Sequence, residues 1–256
     1  MQVKKESLSK DGLTAQFTVS DATPAFVNSI RRAVIDKVPT FAVEEVEFRK
    51  NNSAMFDETF AHRLGLLPLS TDLASYTFKT DEGSAANQVT LTLEADGPIV
   101  VTAAMLKSSD NKVVPIHPET PLVELLEGQS VALEAKAILG KGEQHAKWSS
   151  GLAYYSYGVS VHVTDGAALE KAKKLLPEGA FNAQGKVSAE SIMQHGLVDA
   201  VEGIAPENIK VTYDDTKFSV TVESWGQLPA VEVVTQAVQA LQEELDDMLK
   251  ATEVLK

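Results

Sequence analysis

The segment from Pro229 onward constrains this chain more than any other. Val231, Val234, Val238, Leu241, Leu245 and Met248 recur at alternating intervals of three and four. That spacing keeps side chains on one face of a helix and makes a heptad stripe. Leu255 continues the series, with Thr252 in the gap, while Glu243, Glu244, Asp246 and Asp247 take the opposite face. Such a stripe needs cover. Each fully buried Val, Leu or Met side chain contributes about 1.5–3 kcal/mol before the entropy of ordering is subtracted. The helix either packs inside its own domain, or it packs partly on the chain's own first helix and partly on an equivalent helix pair of a partner.

At the other end, Leu13, Ala15, Phe17 and Val19 alternate with polar residues, the pattern of a half-buried strand. With the Asp11-Gly12 turn before them, residues 2–8 and 13–20 read as a hairpin. Thr23-Pro24 then opens a helix as N-cap and first helical residue. Its apolar face is Phe26, Val27, Ile30, Ala33, Val34 and Val38, and Pro39 ends it. Arg31 and Arg32 sit mid-helix, where a basic pair reads as a solvated face. Strand patterns dominate from Val43 to Leu139, broken by a polar loop over 70–87 with Asp81-Glu82-Gly83-Ser84 at its tip. Residues 167–176 and a stretch capped by Ser188 and running to about Val201 read as helices. Residues 209–213 and 218–224 read as strands joined by an Asp214-Asp215 turn.

Two segments attract a chemical reading. In Ala61-His62-Arg63-Leu64-Gly65-Leu66-Leu67-Pro68-Leu69-Ser70, the apolar residues fit neither a clean helix nor a clean strand. Gly65 and Pro68 break both patterns, which predicts a buried, shape-specific turn. Lys141 to Gly151 is a polar loop holding His145, Lys147 and Trp148. A tryptophan there either stacks on a base or anchors a protein interface.

Charge and composition choose between these. The formal net charge is −13, which argues against wrapping nucleic acid through Lys141, Lys147 and Trp148 and favours the interface for Trp148. The chain has no cysteine, so disulfides, thiolate metal sites and thiol nucleophiles are excluded. No two of the five histidines have a metal-binding helical spacing. An acid–base enzyme using His62 or His145, with Asp57, Glu58 or Glu143 as carboxylate partners, lacks a nucleophile motif, a phosphate loop and a metal constellation. No run approaches a transmembrane helix and no signal peptide is visible, so a cytoplasmic chain is expected.

Four segments, in order, resemble one family. They are the segment from Phe26 to Val43 that begins with the first helix, Ala61-His62-Arg63-Leu64-Gly65-Leu66-Leu67-Pro68-Leu69, Gly142-Glu143-Gln144-His145-Ala146-Lys147-Trp148-Ser149, and Phe218 to Leu228. Together they resemble the RNA polymerase alpha family, and within it the archaeal D-type group. The resemblance implies an α+β fold. Residues 1–45 and 208–256 would form a discontinuous dimerisation domain of strands plus two packed helices, 46–164 an inserted β-rich domain, and 165–207 a small ferredoxin-like insertion.

The implied function is a non-catalytic assembly subunit within a nucleotidyltransferase complex. Phe26, Val27, Ile30 and Val34, with the stripe from Val231 to Met248, would meet the small alpha-like subunit L. The heterodimer would recruit small subunit N and the large catalytic subunits, and Arg31 and Arg32 would face a large subunit. A protein-interaction scaffold outside transcription is the alternative. The ferredoxin spacing C-x2-C-x2-C-x3-C-P places ligand positions on Gly166, Leu169, Ala172 and Leu176 before Pro177. It places a second set on His195, Val198, Val201 and Ala205 before Pro206. None is a cysteine and one histidine holds no cluster, so no iron–sulfur cofactor is expected.

Overall fold

A computed structural model describes residues 1–78 and 88–253. The Asp81-Glu82-Gly83-Ser84 tip and Leu255 lie outside the described residues. In chain order the elements are β1 (Gln2–Leu8), β2 (Thr14–Ser20), α1 (Pro24–Asp36), β3 (Pro39–Asn51), α2 (Asp57–Gly65), β4 (Gln88–Asp96), β5 (Ile99–Thr102), β6 (Lys107–Ser108), β7 (Pro121–Leu125) and β8 (Ser130–Lys141). There follow β9 (Gly151–Val163), α3 (Ala167–Ala172), α4 (Ala189–Gln194), α5 (Val198–Val201), β10 (Ile209–Ser224) and α6 (Ala230–Glu253). The architecture is mixed α and β. Among the described residues no helix is long and apolar enough to cross a membrane.

Two compact units emerge. One comprises Met1–Lys4, Thr18–Pro24 and Tyr155–Ser219; the other is the remainder of the chain. A four-stranded sheet has the order β1-β2-β10-β9. Both α1 and α6 fall with β3 to β8, while 165–207 falls with residues 155–163 of β9 and 209–219 of β10.

In the larger unit, β8 is a central strand of a sheet of order β3-β8-β4-β6. Phe41 pairs with Leu139, and Leu93 with Leu133. Alternation of apolar and polar residues along β4 puts Val89, Leu91, Leu93 and Ala95 inside, as a half-buried strand requires. They join Phe60 and Leu64 of α2 and Leu122, Val123 and Leu125 of β7 in one core. In the smaller unit Leu169, Leu176, Ile192, Val201 and Ile209 form a separate core.

Three local expectations change. Residues 61–65 are the end of α2 and not part of a turn. The acidic pair Asp57-Glu58 in its first turn and His62-Arg63 in its last complement the helix dipole. Leu64, Leu67 and Leu69 are buried as the turn reading required, but Leu66 points outward. The helix expected up to Val201 is two short helices, because Gly196 takes φ +63° between them. No turn interrupts β10 at Asp214-Asp215. The Asp214 carboxylate accepts from the Thr216 N–H at 2.9 Å and its hydroxyl at 2.6 Å, so Asp214 is satisfied within an exposed strand.

Residues 141–150 brace the end of α1. A helix C-terminus leaves carbonyls unpaired. Here the Ser150 hydroxyl donates to the Val34 carbonyl at 2.7 Å, and the Glu143 N–H to that of Asp36 at 3.1 Å. The approach needs Gly142, where a Cβ would stand 2.1 Å from the Ile35 carbonyl oxygen. Trp148 anchors the loop. Its Nε1 donates to the Ile138 carbonyl at 3.2 Å, its own carbonyl accepts from Thr40 Oγ1 at 2.8 Å, and its indole lies where a Cβ on Gly140 would be. Trp148→Ala is expected to cost about 3–5 kcal/mol in thermal or denaturant unfolding. A loss below about 1 kcal/mol would mean that the indole does not hold the loop.

Candidate assembly interface

Helix α6 has two apolar sectors, and the described residues cover only one. Ala230, Val233 and Ala237 are fully buried. One residue further on, and so about 100° around the helix, Val231, Val238, Leu245 and Met248 are between 45% and 65% exposed. Val234 and Leu241 sit half-buried between the two. From Gln242 to Glu253 every residue is exposed, so the last three turns or so project with Leu245, Met248 and Leu249 uncovered. Soluble chains seldom leave a continuous apolar stripe on a long helix open to water.

The start of α6 is fixed by backbone bonds. The Ala230 N–H donates to the Gly12 carbonyl at 2.9 Å, and the Ser224 N–H to that of Leu13 at 2.8 Å. Further along, Lys37 Nζ just past α1 is 2.6 Å from Glu244 of α6 and 2.7 Å from Glu143 of the bracing loop. Those two carboxylates, Glu143 first, raise the Lys37 ammonium above its ordinary range. Such partly exposed pairs contribute modestly to stability, but this one ties α6, α1 and the loop at one point.

On α1 the predicted face divides. Val27, Ile30 and Val34 are buried within the chain and offer a partner no open surface. Phe26 at the start of α1 is exposed, as is Arg32. Arg31 is half-buried, with its Nε bonded to Asn28 Oδ1 at 3.0 Å. Trp148 is also buried. It is neither a base-stacking platform nor an exposed anchor, since its indole is enclosed by Gly140 and by Lys147 Nζ at 4.3 Å from the ring centre.

The two candidate acid–base histidines line one half-open cleft of ≈ 250 Å³ with Val43, Val46, Leu66 and Lys147. Two of the three carboxylates beside them in sequence are engaged elsewhere: Glu143 by Lys37, and Asp57 by Asn51 Nδ2 at 2.6 Å. His145 Nδ1 accepts from the Lys147 N–H at 3.1 Å and caps a short turn. Lys147 Nζ donates to the Val43 carbonyl at 3.0 Å and pairs with Glu44. The cleft is an apolar recess with a polar rim, without a nucleophile–base pair. Arg63 leaves it altogether and donates to the Leu122 carbonyl at 2.8 Å, tying α2 to β7.

Sequence reasoning passed over Gln227. It is buried, its Nε2 donates to the Ser149 carbonyl at 3.2 Å, and its own carbonyl accepts from the Thr71 N–H at 2.9 Å. The signal was the preceding Gly226, whose φ of +100° sets the turn into α6. At the degenerate ferredoxin positions, Leu169, Leu176 and Val201 are buried in the smaller unit's core, and Val198 and Ala205 pack against it. His195 is exposed, with Nδ1 2.9 Å from the Ser191 carbonyl oxygen. None of the eight positions holds a cysteine sulfur, and five of them carry hydrocarbon packed in or against that core.

The chain is similar to known proteins over nearly its full length. Residues 46–152 match the RNA polymerase Rpb3/RpoA insert domain. Over 95% of its length the chain is 37% identical to DNA-directed RNA polymerase subunit Rpo3 of Thermococcus kodakarensis, covering 95% of that protein. It is 34% identical to the Rpo3 of Pyrococcus furiosus over 99% of its length, covering 98% of that protein. The Rpo3 of Methanosarcina acetivorans is also 34% identical, over 97% of the chain and 98% of the relative.

Substitutions one residue apart on α6 separate its two sectors. Ala237→Glu places a charge in the buried sector and is expected to cost the isolated chain several kcal/mol, about 3–5. Val238→Glu faces water and should stay within about 0.5 kcal/mol. Equal losses in urea unfolding would mean that the stripe is already covered.

Proposed function

The chain belongs to the archaeal DNA-directed RNA polymerase subunit Rpo3 family, and on that premise we propose that it is a non-catalytic assembly subunit of the polymerase. It heterodimerises with the small alpha-like subunit L through the open sector of α6, and the pair recruits small subunit N and the large catalytic subunits. The observation that carries this reading is the uncovered stripe Val231, Val238, Leu245 and Met248 on a helix whose adjacent sector is fully buried. A long helix fixed at its start and at Glu244 presents that stripe in one orientation, which lowers the ordering cost of association. Exposed Phe26 and Arg32 on α1 extend the surface toward a large subunit, and the recess lined by Val43, Val46 and Leu66 suits an apolar side chain from another. Chemistry on nucleotides belongs to the partners.

The 165–207 region serves, on this reading, as a ferredoxin-like subdomain that folds without a cluster. Support comes from the leucine and valine side chains that fill its core at the ligand positions.

Co-expression with an archaeal subunit L tests the main proposal. A tight 1:1 complex is expected, and Val238→Glu or Leu245→Glu should weaken it by at least about 100-fold through burial of an unpaired charge at the seam. Survival of the complex in both variants would place the interface elsewhere. Elemental analysis and a visible absorption spectrum of the purified chain test the second. The expected result is no iron and no visible absorption band; stoichiometric iron would contradict it.

A further inference from the structure

At one end of the β-rich sheets three loops are tied together. The Asn52 N–H donates to the Ser130 carbonyl at 3.3 Å, and Asn52 Oδ1 accepts from the Ser130 N–H at 2.6 Å. The Gly97 N–H donates to the Gln129 carbonyl at 2.8 Å, and a Cβ on Gly97 would stand 2.1 Å from the Leu126 carbonyl oxygen. Gln129 closes its own turn, its Oε1 accepting from the Leu126 N–H at 2.7 Å and its N–H donating to the Leu126 carbonyl at 3.0 Å. These loops are held by backbone bonds and close contacts, and they carry apolar side chains outward. Phe56 is 79% exposed and Leu126 59%, with Pro98 and Ile99 also exposed.

The rim of this patch has one sign. Asp57, Asp96 and Glu127 are exposed around it. No lysine or arginine occurs in residues 51–58, 94–100 or 124–130. Just before the first loop in sequence, Arg49 is paired with Glu134 at 2.8 Å and Lys50 lies on β3. An aromatic anchor on a preformed, acidic-rimmed surface is the pattern of a protein-docking site.

We propose that this end of the β-rich region, built on Phe56 and Leu126, binds an apolar segment of another protein flanked by lysine or arginine. Charge complementarity selects that occupant. A second copy of this chain would bring the same carboxylates, and nucleic acid would bring phosphates; both are repelled. The surface is separate from the α6 stripe and does not rest on the subunit L proposal.

The test uses the full-length chain and two fluorescent peptides with identical leucine positions, one flanked by lysines and one by glutamates. The lysine peptide is expected to bind at least about tenfold more tightly, and its binding should fall several-fold between roughly 50 and 300 mM salt. Phe56→Ser with Leu126→Ser should weaken it by at least about tenfold, as should Asp96→Asn with Glu127→Gln, a loss of about 1.4 kcal/mol or more. Val238→Glu should leave it unchanged. Equal binding of the two peptides, no binding of either, or unchanged binding to the Phe56/Leu126 variant would overturn the proposal. So would loss of binding in Val238→Glu, or self-association that disappears in the Phe56/Leu126 variant.

Discussion

The C-terminal carbonyls of α1 must find donors, and much of the larger unit is arranged around supplying them. Ser150 and Glu143 provide two, from a loop that comes close only because Gly142 has no side chain. The loop is held in turn by the indole of Trp148 lying on Gly140 and by the buried hydroxyl of Thr40. Gln227 reaches the same loop from the turn before α6. The end of one helix thereby fixes the position from which the other begins.

That chain of contacts gives α6 its direction, and its sequence gives it more apolar surface than the described residues cover. Small residues on the inner sector let the helix approach closely, while the larger side chains of the neighbouring sector stay in water. Lys37 draws Glu244 toward the end of α1, and beyond that point nothing among the described residues buries the helix. A monomeric protein gains nothing from carrying such a helix. A subunit of a larger assembly gains an oriented seam whose burial is deferred until the partner arrives.

Much of this was legible in the sequence, and the parts that were not have particular causes. The heptad spacing identified α6 and its stripe, but the inner sector of Ala230, Val233 and Ala237 left little trace because alanines carry weak periodicity. The apolar face of α1 was correctly read as apolar, yet periodicity does not say which neighbour buries it, and Val27, Ile30 and Val34 turned inward. Trp148 looked like a surface residue because its loop is polar; the close approach to Gly140 that buries it is a long-range packing event. His62 and His145 do meet in one cleft, although Glu143 and Asp57 turn to Lys37 and Asn51. In Ala61 to Ser70, a helix end and a turn overlap within a few residues, so neither period was complete enough to read.

Whether a partner subunit, and not the chain itself, covers the open sector of α6 is decided most directly by amide hydrogen exchange. The exchange is resolved along α6 with and without archaeal subunit L. Amides from Gln242 to Glu253 are predicted to exchange rapidly in the free chain and to slow by at least about tenfold in the complex. Smaller changes are predicted from Ala230 to Ala237, where the helix is already buried. Strong protection of the last turns in the free chain, or no change on adding subunit L, would contradict that assignment.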